Sequence, residues 1–271
     1  MATGFWGFGG NSIGHIGSAS LARALQSANC RLTKLSLVAN HIGGEGATEL
    51  ANSLQSVHCR LTSLSLCGNQ IMNLGASAIA TAVQSEHCKL TDLDLSRNLI
   101  GFRGVSALAK CIKSKSCRLL SLNLGHNAIN PKGATALAKA IQSENCKLTE
   151  LILYDNQFGN DGAKDLANSL QSEHCRLTRL VLTFNHIGDE GAMALADAIQ
   201  SGNCRLTELH LDSNHIEDEG ATAIALAIKF GQWNFKKLSM SRNPYGVSGL
   251  LAFFSACQSG KCRHEQLIFD E

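Results

Sequence analysis

One pattern of apolar and polar positions recurs along most of the chain: C-R/K-L-T-x-L-x-L-x-x-N-x-I, followed by G-A-x-x-L-A-x-A-I/L-Q-S. In the first half the leucines fall two apart, as at Leu35 and Leu37 or Leu209 and Leu211, which predicts one short strand with a buried face. In the second half Ala192, Leu195, Ala196 and Ile199 fall at i, i+3, i+4 and i+7, which predicts a helix with one apolar side. The period is 29 residues: Cys30, Cys59, Cys88, Cys117, Cys146, Cys175 and Cys204 form one column. Trp233 and Cys262 take the next two slots. Asparagines from Asn11 to Asn243 and glycines from Gly17 to Gly249 keep the same interval without exception.

A strand–helix unit of this size cannot bury its own apolar face, whereas stacked units share one continuous core. The expected fold is an α/β solenoid of about nine 29-residue repeats in a single domain, 1–271. Residues 1–29 form a degenerate N-terminal repeat or cap, 30–232 hold seven regular repeats, and 233–271 hold a C-terminal repeat and cap with a closing strand in 262–271. Parallel strands sit about 4.8 Å apart and packed helices about 8–10 Å apart, so the stack should curve with strands concave and helices convex. Small residues at the helix contacts, Ala47, Ala51, Ala163 and Ala167, permit close approach without removing that mismatch.

The motif L-T-x-L-x-L-x-x-N-x-I, with Cys two residues before the first Leu and a helix opened by Gly-Ala, resembles the leucine-rich repeat family in its ribonuclease-inhibitor-like subfamily. The resemblance covers nearly the whole chain. Only the first unit departs, where GFWGFGGNSIG lacks the leucines. Similar repeats form the sensing ends of NOD-like receptors and occur in leucine-rich effectors that intracellular bacteria inject into host cells. The resemblance implies a horseshoe whose concave sheet binds other proteins.

Composition narrows the picture. Of 271 residues, 44% are hydrophobic and only two are proline, which suits a packed domain rather than a linker-rich chain. A net charge of +2 gives no reason to expect nucleic acid or an anionic membrane as partner. No apolar run is long enough to span a bilayer, and MATGFWGFGG lacks the basic and apolar regions of a secretory signal. Stacked cysteines about 5 Å apart could suggest bridges. A slot that also accepts Trp233 is nevertheless a packing slot, and free Cys is a small buried hydrophobe. There is no C-x-x-C, and His58, His87 and His174 share their slot with Asn29, Ser116 and Asn145, so neither a metal nor another cofactor is expected. Unbridged thiols suit a reducing compartment, hence the cytoplasm, or the host cytosol if the chain is a secreted bacterial effector.

Arg31, Arg60, Lys89, Arg118, Lys147, Arg176 and Arg205 line one edge just past the predicted helix ends. Compensation of the negative helix termini explains them better than an anionic ligand, and Glu45, Asp161, Asp189, Glu190, Asp218 and Glu219 mark the opposite, positive ends. No nucleophile elbow, phosphate loop or zinc-protease motif occurs. Asp92 and Asp94 read as solvated carboxylates rather than an acid/base pair, and the protein is expected not to be an enzyme.

Residues between the leucines should face the concave surface. Small polar residues dominate there in early units, until Ile152, Tyr154, Val181 and Phe184 gather on adjacent strands. Asp94, Arg97, Asn123, His126, Glu150, Asp155, Arg179, His210 and Asp212 surround them. An apolar centre with a charged rim predicts a protein-binding patch, against the alternative that β-formers simply favour strands. The expected function is a non-catalytic protein–protein interaction scaffold, receptor-sensing-domain-like or effector-like. The alternative is an inhibitor or activator of an enzyme, a nuclease inhibitor or GTPase activator; mixed signs on the exposed columns weaken the inhibitor. Aromatics at the ends (Phe5, Trp6 and Phe8; Phe230, Trp233, Phe235, Tyr245, Phe253, Phe254 and Phe269) read as caps. A monomer is expected, with an end-to-end dimer through an exposed end as the alternative.

Overall fold

The computed structural model describes residues 4–231, 235–260 and 264–269. By its internal contacts the chain divides into two compact units, Met1–Ala128 with Asn145–Leu148, and Ile129–Glu144 with Thr149–Glu271. The first holds strands β1 (Gly4–Gly7), β2 (Leu32–Ser36), β3 (Ser63–Ser65), β4 (Asp92–Asp94) and β5 (Ser121–Asn123). They run parallel in chain order and alternate with helices α1 (Gly14–Leu25), α2 (Gly43–Leu54), α3 (Met72–Val83) and α4 (Phe102–Ile112). The second holds α5 (Pro131–Ile141), β6 (Glu150–Ile152), α6 (Gly159–Leu170), β7 (Arg179–Val181), α7 (Asp189–Gln200), β8 (Glu208–His210), α8 (Asp218–Phe230), β9 (Lys237–Ser239), α9 (Val247–Gln258) and β10 (Leu267–Ile268). Its strands are again parallel and in order. The solenoid expected from the 29-residue period is therefore present.

Register repeats the sequence period. Leu35 pairs with Leu64, Leu64 with Leu93 and Leu93 with Leu122 in the first unit. Leu151, Leu180, Leu209, Leu238 and Leu267 do the same in the second. These leucines are buried except Leu267, which is partly exposed, and Leu37, Leu66, Leu153 and Leu182 two residues on are buried too. In the first repeat Trp6 aligns with Leu35, and Phe8 lies one period before Leu37. Their rings meet edge-on at 5.9 Å, so aromatics hold the slots that lack leucine, though Trp6 stays 50% exposed. The closing strand is shorter than 262–271, and Trp233 and Cys262 lie outside the described residues.

Each strand ends on its asparagine. Asn69, fully buried, donates through its amide to the carbonyls of Leu66 and Leu37 at 2.9 and 2.7 Å and accepts from Asn40 N at 2.9 Å. Asn98 and Asn214 repeat this bridge, and Asn185 keeps only its donor half, to Leu153 O. One amide thus satisfies backbone groups of two neighbouring turns that have no ladder partner. The glycine column is a packing requirement: a Cβ on Gly75 would come within 2.8 Å of the Ala47 Cβ, and one on Gly220 within 2.9 Å of Ala192. Cys59, Cys88, Cys117, Cys146 and Cys175 are buried, as their packing role predicts, and burial pushes the thiols of Cys59, Cys88 and Cys175 up.

Helix starts come in two main kinds; α5 follows neither, since its own Asn130 accepts from Gly133 N at 3.1 Å. Asn73, Asn160, Asp189 and Asp218 share one slot, and each caps the helix of the following repeat rather than its own. Asn73 Oδ1 accepts from Gly101 and Gly104 N at 3.0 and 2.9 Å, and Asn160 Oδ1 from Gly188 and Gly191 N at 2.8 and 3.2 Å. Asp189 serves Glu217 and Gly220, and Asp218 serves Gly246 and Gly249. Those helices, α4, α7, α8 and α9, leave an extended N-cap residue. Where the slot holds His15, Gly44 or Pro131 instead, the next helix enters through a left-handed residue: Gly43, Met72 or Gly159. Asp189 and Asp218, expected only as charges near helix dipoles, are hydrogen-bonded caps as well.

Candidate protein-binding face

Strand alternation decides which side chains reach the open face of the sheet. In the second unit Leu151, Leu153, Leu180 and Leu182 are fully buried, while Ile152, Tyr154 and Val181 between them are half-buried. Ile152 is directly beside Val181, and Val181 beside His210. Just past β7, Phe184 is 51% exposed. The second unit therefore sets Ile152, Tyr154 and Val181 at outward slots of adjacent strands, with Phe184 at the turn just past β7.

One row along the same strands is ionic. Glu150, Arg179 and Glu208 are register neighbours. The Arg179 guanidinium pairs closely with Glu150 through Nη1, and its Nε lies 3.2 Å from Glu208 Oε2 without hydrogen-bond alignment. All three side chains are partly covered. Arg179 is thus held between two carboxylates, a geometry that keeps a long side chain ordered on the surface. His210 lies next to this row. Burial pushes its pKa down, and the charges of Lys237 and Arg179 push the same way, against Asp212 and Glu208. Its Nδ1 is 4.0 Å from Asp212 Oδ2, and its Nε2 has no hydrogen-bond partner.

Three of the expected polar residues brace strand ends. Asp212 accepts from the Ser239 hydroxyl and from Ser241 N at 3.0 Å. In the first unit Asp94 accepts from Ser96 N and Oγ at 3.0 and 2.6 Å and from Ser65 Oγ at 2.9 Å. Asn123 beside it accepts from Gly125 N at 3.0 Å. Their first role is local, since short polar side chains substitute for ladder bonds where strands end. Arg97 and His126 of the first unit are exposed past the same strand ends. The neighbouring Asp92 is exposed and accepts from Thr91 Oγ1 at 2.6 Å.

The slot after each strand is left-handed. Ala39, Arg97, His126, Asp155, Phe184, Ser213 and Arg242 all have φ between 51° and 58°, and Gly10 and Gly68 fill that slot with glycine. A bulky side chain there costs roughly 1–2 kcal/mol. Phe184 is thus a large aromatic held in a strained conformation and half in water. It borders a hollow of about 450 Å³ with Asp155, His186, Ser213, Asn214, His215 and Arg242. The imidazoles of His186 and His215 lie 5.2 Å apart. The sequence reading missed these two histidines and Arg242, although the histidines stand one period apart.

The basic column meets main-chain oxygens of the preceding turn where contacts are recorded: Lys147 Nζ is 3.3 Å from Lys115 O, and Arg205 Nη2 is 3.5 Å from Glu173 O. Among the described residues no three metal-ligating side chains converge. No described helix is long and apolar enough to cross a membrane.

Seven segments, 28–51, 57–80, 86–109, 115–138, 144–167, 174–196 and 202–225, match the family described as Leucine Rich repeat, together more than half of the chain. The chain belongs to the leucine-rich repeat family. Proteins built from such repeats generally act as non-catalytic scaffolds that mediate protein–protein interaction. No curated protein matches the chain. Among solved structures it is similar to an internalin (inlF) from Listeria monocytogenes str. 4b F2365, with a TM-score of 0.51 and 22% identity over 82% of this chain and 52% of that one. It is also similar to the TLR13–ssRNA13 complex (TM-score 0.49, 18% identity, 88% of this chain, 32% of that one). A third structure is the leiomodin-1 actin-binding site 2 (TM-score 0.42, 17% identity, 65% and 84%). The chain spans about half the length of the internalin chain, 52%, and these likenesses bear on fold alone.

Proposed function

We propose that the protein is a non-catalytic binding scaffold of the ribonuclease-inhibitor-like kind that takes a protein partner on the open sheet face of its second unit. The observation that carries this is Phe184. Folding favours glycine or a small residue at its left-handed slot, and burial does not compensate for the strain, because half of the ring is in water. Beside it, Ile152, Tyr154 and Val181 supply apolar area where the same slots in the first unit hold mostly small polar residues. Glu150, Arg179, Asp155, His210 and Asp212 frame that area with both signs of charge, the layout of a protein interface with a dry centre. Asp94, Arg97, Asn123 and His126 belong to the first unit and are secondary in this reading. The 29-residue period with its Cys column supports the subfamily, and the free cysteines support a cytoplasmic setting.

Crosslinking capture from a cell lysate, run with wild type and with Tyr154→Ala/Phe184→Ala, tests the proposal. A partner that uses this face should bind the double variant at least about 30-fold more weakly. Equal binding of the captured partner to both proteins would remove the face from consideration.

A further inference from the structure

The helix α9, VSGLLAFFSACQ, carries no charged residue. In the eight helices before it the slot of Phe254 is alanine, from Ala22 to Ala225 at 29-residue intervals. Ala225 is fully buried where α9 packs on α8. Phe254 is 62% exposed instead, which departs from the aromatic cap expected at this end. Phe253 does follow that expectation: it is buried and meets Phe269 at 4.8 Å. Leu250, in the slot of buried Ala221, is also exposed, as are Val247 and Leu251. These side chains border an apolar hollow of about 520 Å³ that reaches Leu267 and Phe269.

The outer slots of α9 differ from those of most earlier helices. The glycine that opens α9 fits because a Cβ on it would lie 3.0 Å from the Cβ of Ala221, so the helices approach over alanine. Leu250 and Phe254 fill that space on the outer side. Exposed large apolar groups on a charge-free helix face mark an interaction surface.

We propose that this face of α9 pairs with the same face of a second copy about a two-fold axis. A two-fold contact sets residues opposite copies of themselves, so any charge near the axis would repel its own image. The helix has none. An apolar patch of a few hundred Å² per copy, doubled by symmetry, gives on the order of 1,000 Å², the lower limit for a stable contact. Phe254 is the anchor, entering the hollow between Leu250 and Phe269 of the other copy.

Sedimentation velocity and light scattering over about 1 to about 200 µM, the range expected for so small a contact, read the outcome. The mass should rise from 28.9 kDa to twice that and no further. Phe254→Ala, which restores the residue of the other helices, should weaken dimerisation at least about 30-fold. Its thermal unfolding serves as a folding control. Tyr154→Ala/Phe184→Ala should dimerise as wild type, since the sheet face is not involved. A monomer at all concentrations would overturn the proposal. So would a dimer indifferent to Phe254→Ala, or a growing series of masses that signals head-to-tail association.

Discussion

In the first unit, the strand slots facing away from the core hold Phe5, Gly7, Lys34, Ser36, Ser63, Ser65, Asp92, Asp94, Ser121 and Asn123. In the second, the corresponding slots hold Glu150, Ile152, Arg179, Val181, Glu208, His210, Lys237 and Ser239. Inner slots do not differ in this way: leucine pairs with leucine in both units, and asparagine closes the strands of both. Stacking fixes the inward residues, because each must fit an identical neighbour one period away. The outward residues touch no such template. Their contents are free to vary, and on β6 and β7 they become uniformly large, with Ile152 beside Val181 and Glu150 beside Arg179.

The largest expected effect concerns the shared part. Asn69→Ala and Asn214→Ala each orphan several buried backbone groups, since Asn214 bonds Leu182 O, Leu211 O and Asn185 N in the way Asn69 does one unit earlier. Each should cost about 3 kcal/mol or more in urea denaturation, by similar amounts in the two units. A clear inequality would show that the two ladders are not equivalent.

A smaller effect, opposite in sign between the units, should appear at the left-handed slot. Gly68→Ala adds a Cβ in ordinary contact with Ala39, 3.8 Å away, at φ +69°, so backbone strain dominates and stability should fall by about 1 kcal/mol. Phe184→Gly removes that strain at φ +55° and should leave stability unchanged or raise it by up to about 1 kcal/mol. Partner capture should nonetheless be lost. Destabilisation by Phe184→Gly would mean that the ring serves the fold, and the contrast between the units would collapse.

The smallest effect is electrostatic. Burial holds the His210 pKa below its ordinary value, so the unfolded chain binds this proton more tightly than the folded one. The contribution to stability is therefore full above about pH 6.5 and is lost as pH falls through the lower folded value. Between about pH 7.5 and about pH 5 the melting temperature should drop less in His210→Gln than in wild type. An identical drop would mean that His210 is protonated as readily in the fold as outside it.

Much of this was legible in the chain. The period placed each strand and helix, since inward slots obey short, local rules: leucines two apart, then apolar residues three and four apart. It also singled out Ile152, Tyr154, Val181 and Phe184 as departures from a small polar background. The helix caps were not legible. Asn73 and Asn160 look like ordinary polar residues of their own helices, yet their partners stand 28 and 31 residues further on. Nor did the strand pattern reveal that Asp94 and Asp212 brace strand ends by accepting from serines, because those bonds depend on backbone angles.

By itself, then, the sequence determined the architecture, because a repeated unit meets the same neighbour at every step and a residue's slot predicts its burial. Only the tertiary structure decided what happens between slots of different identity. It placed Arg179 between Glu150 and Glu208, set Phe184 at a left-handed turn, and left Phe254 uncovered. Those outcomes depend on side-chain conformation and backbone angles, and a one-dimensional period carries neither.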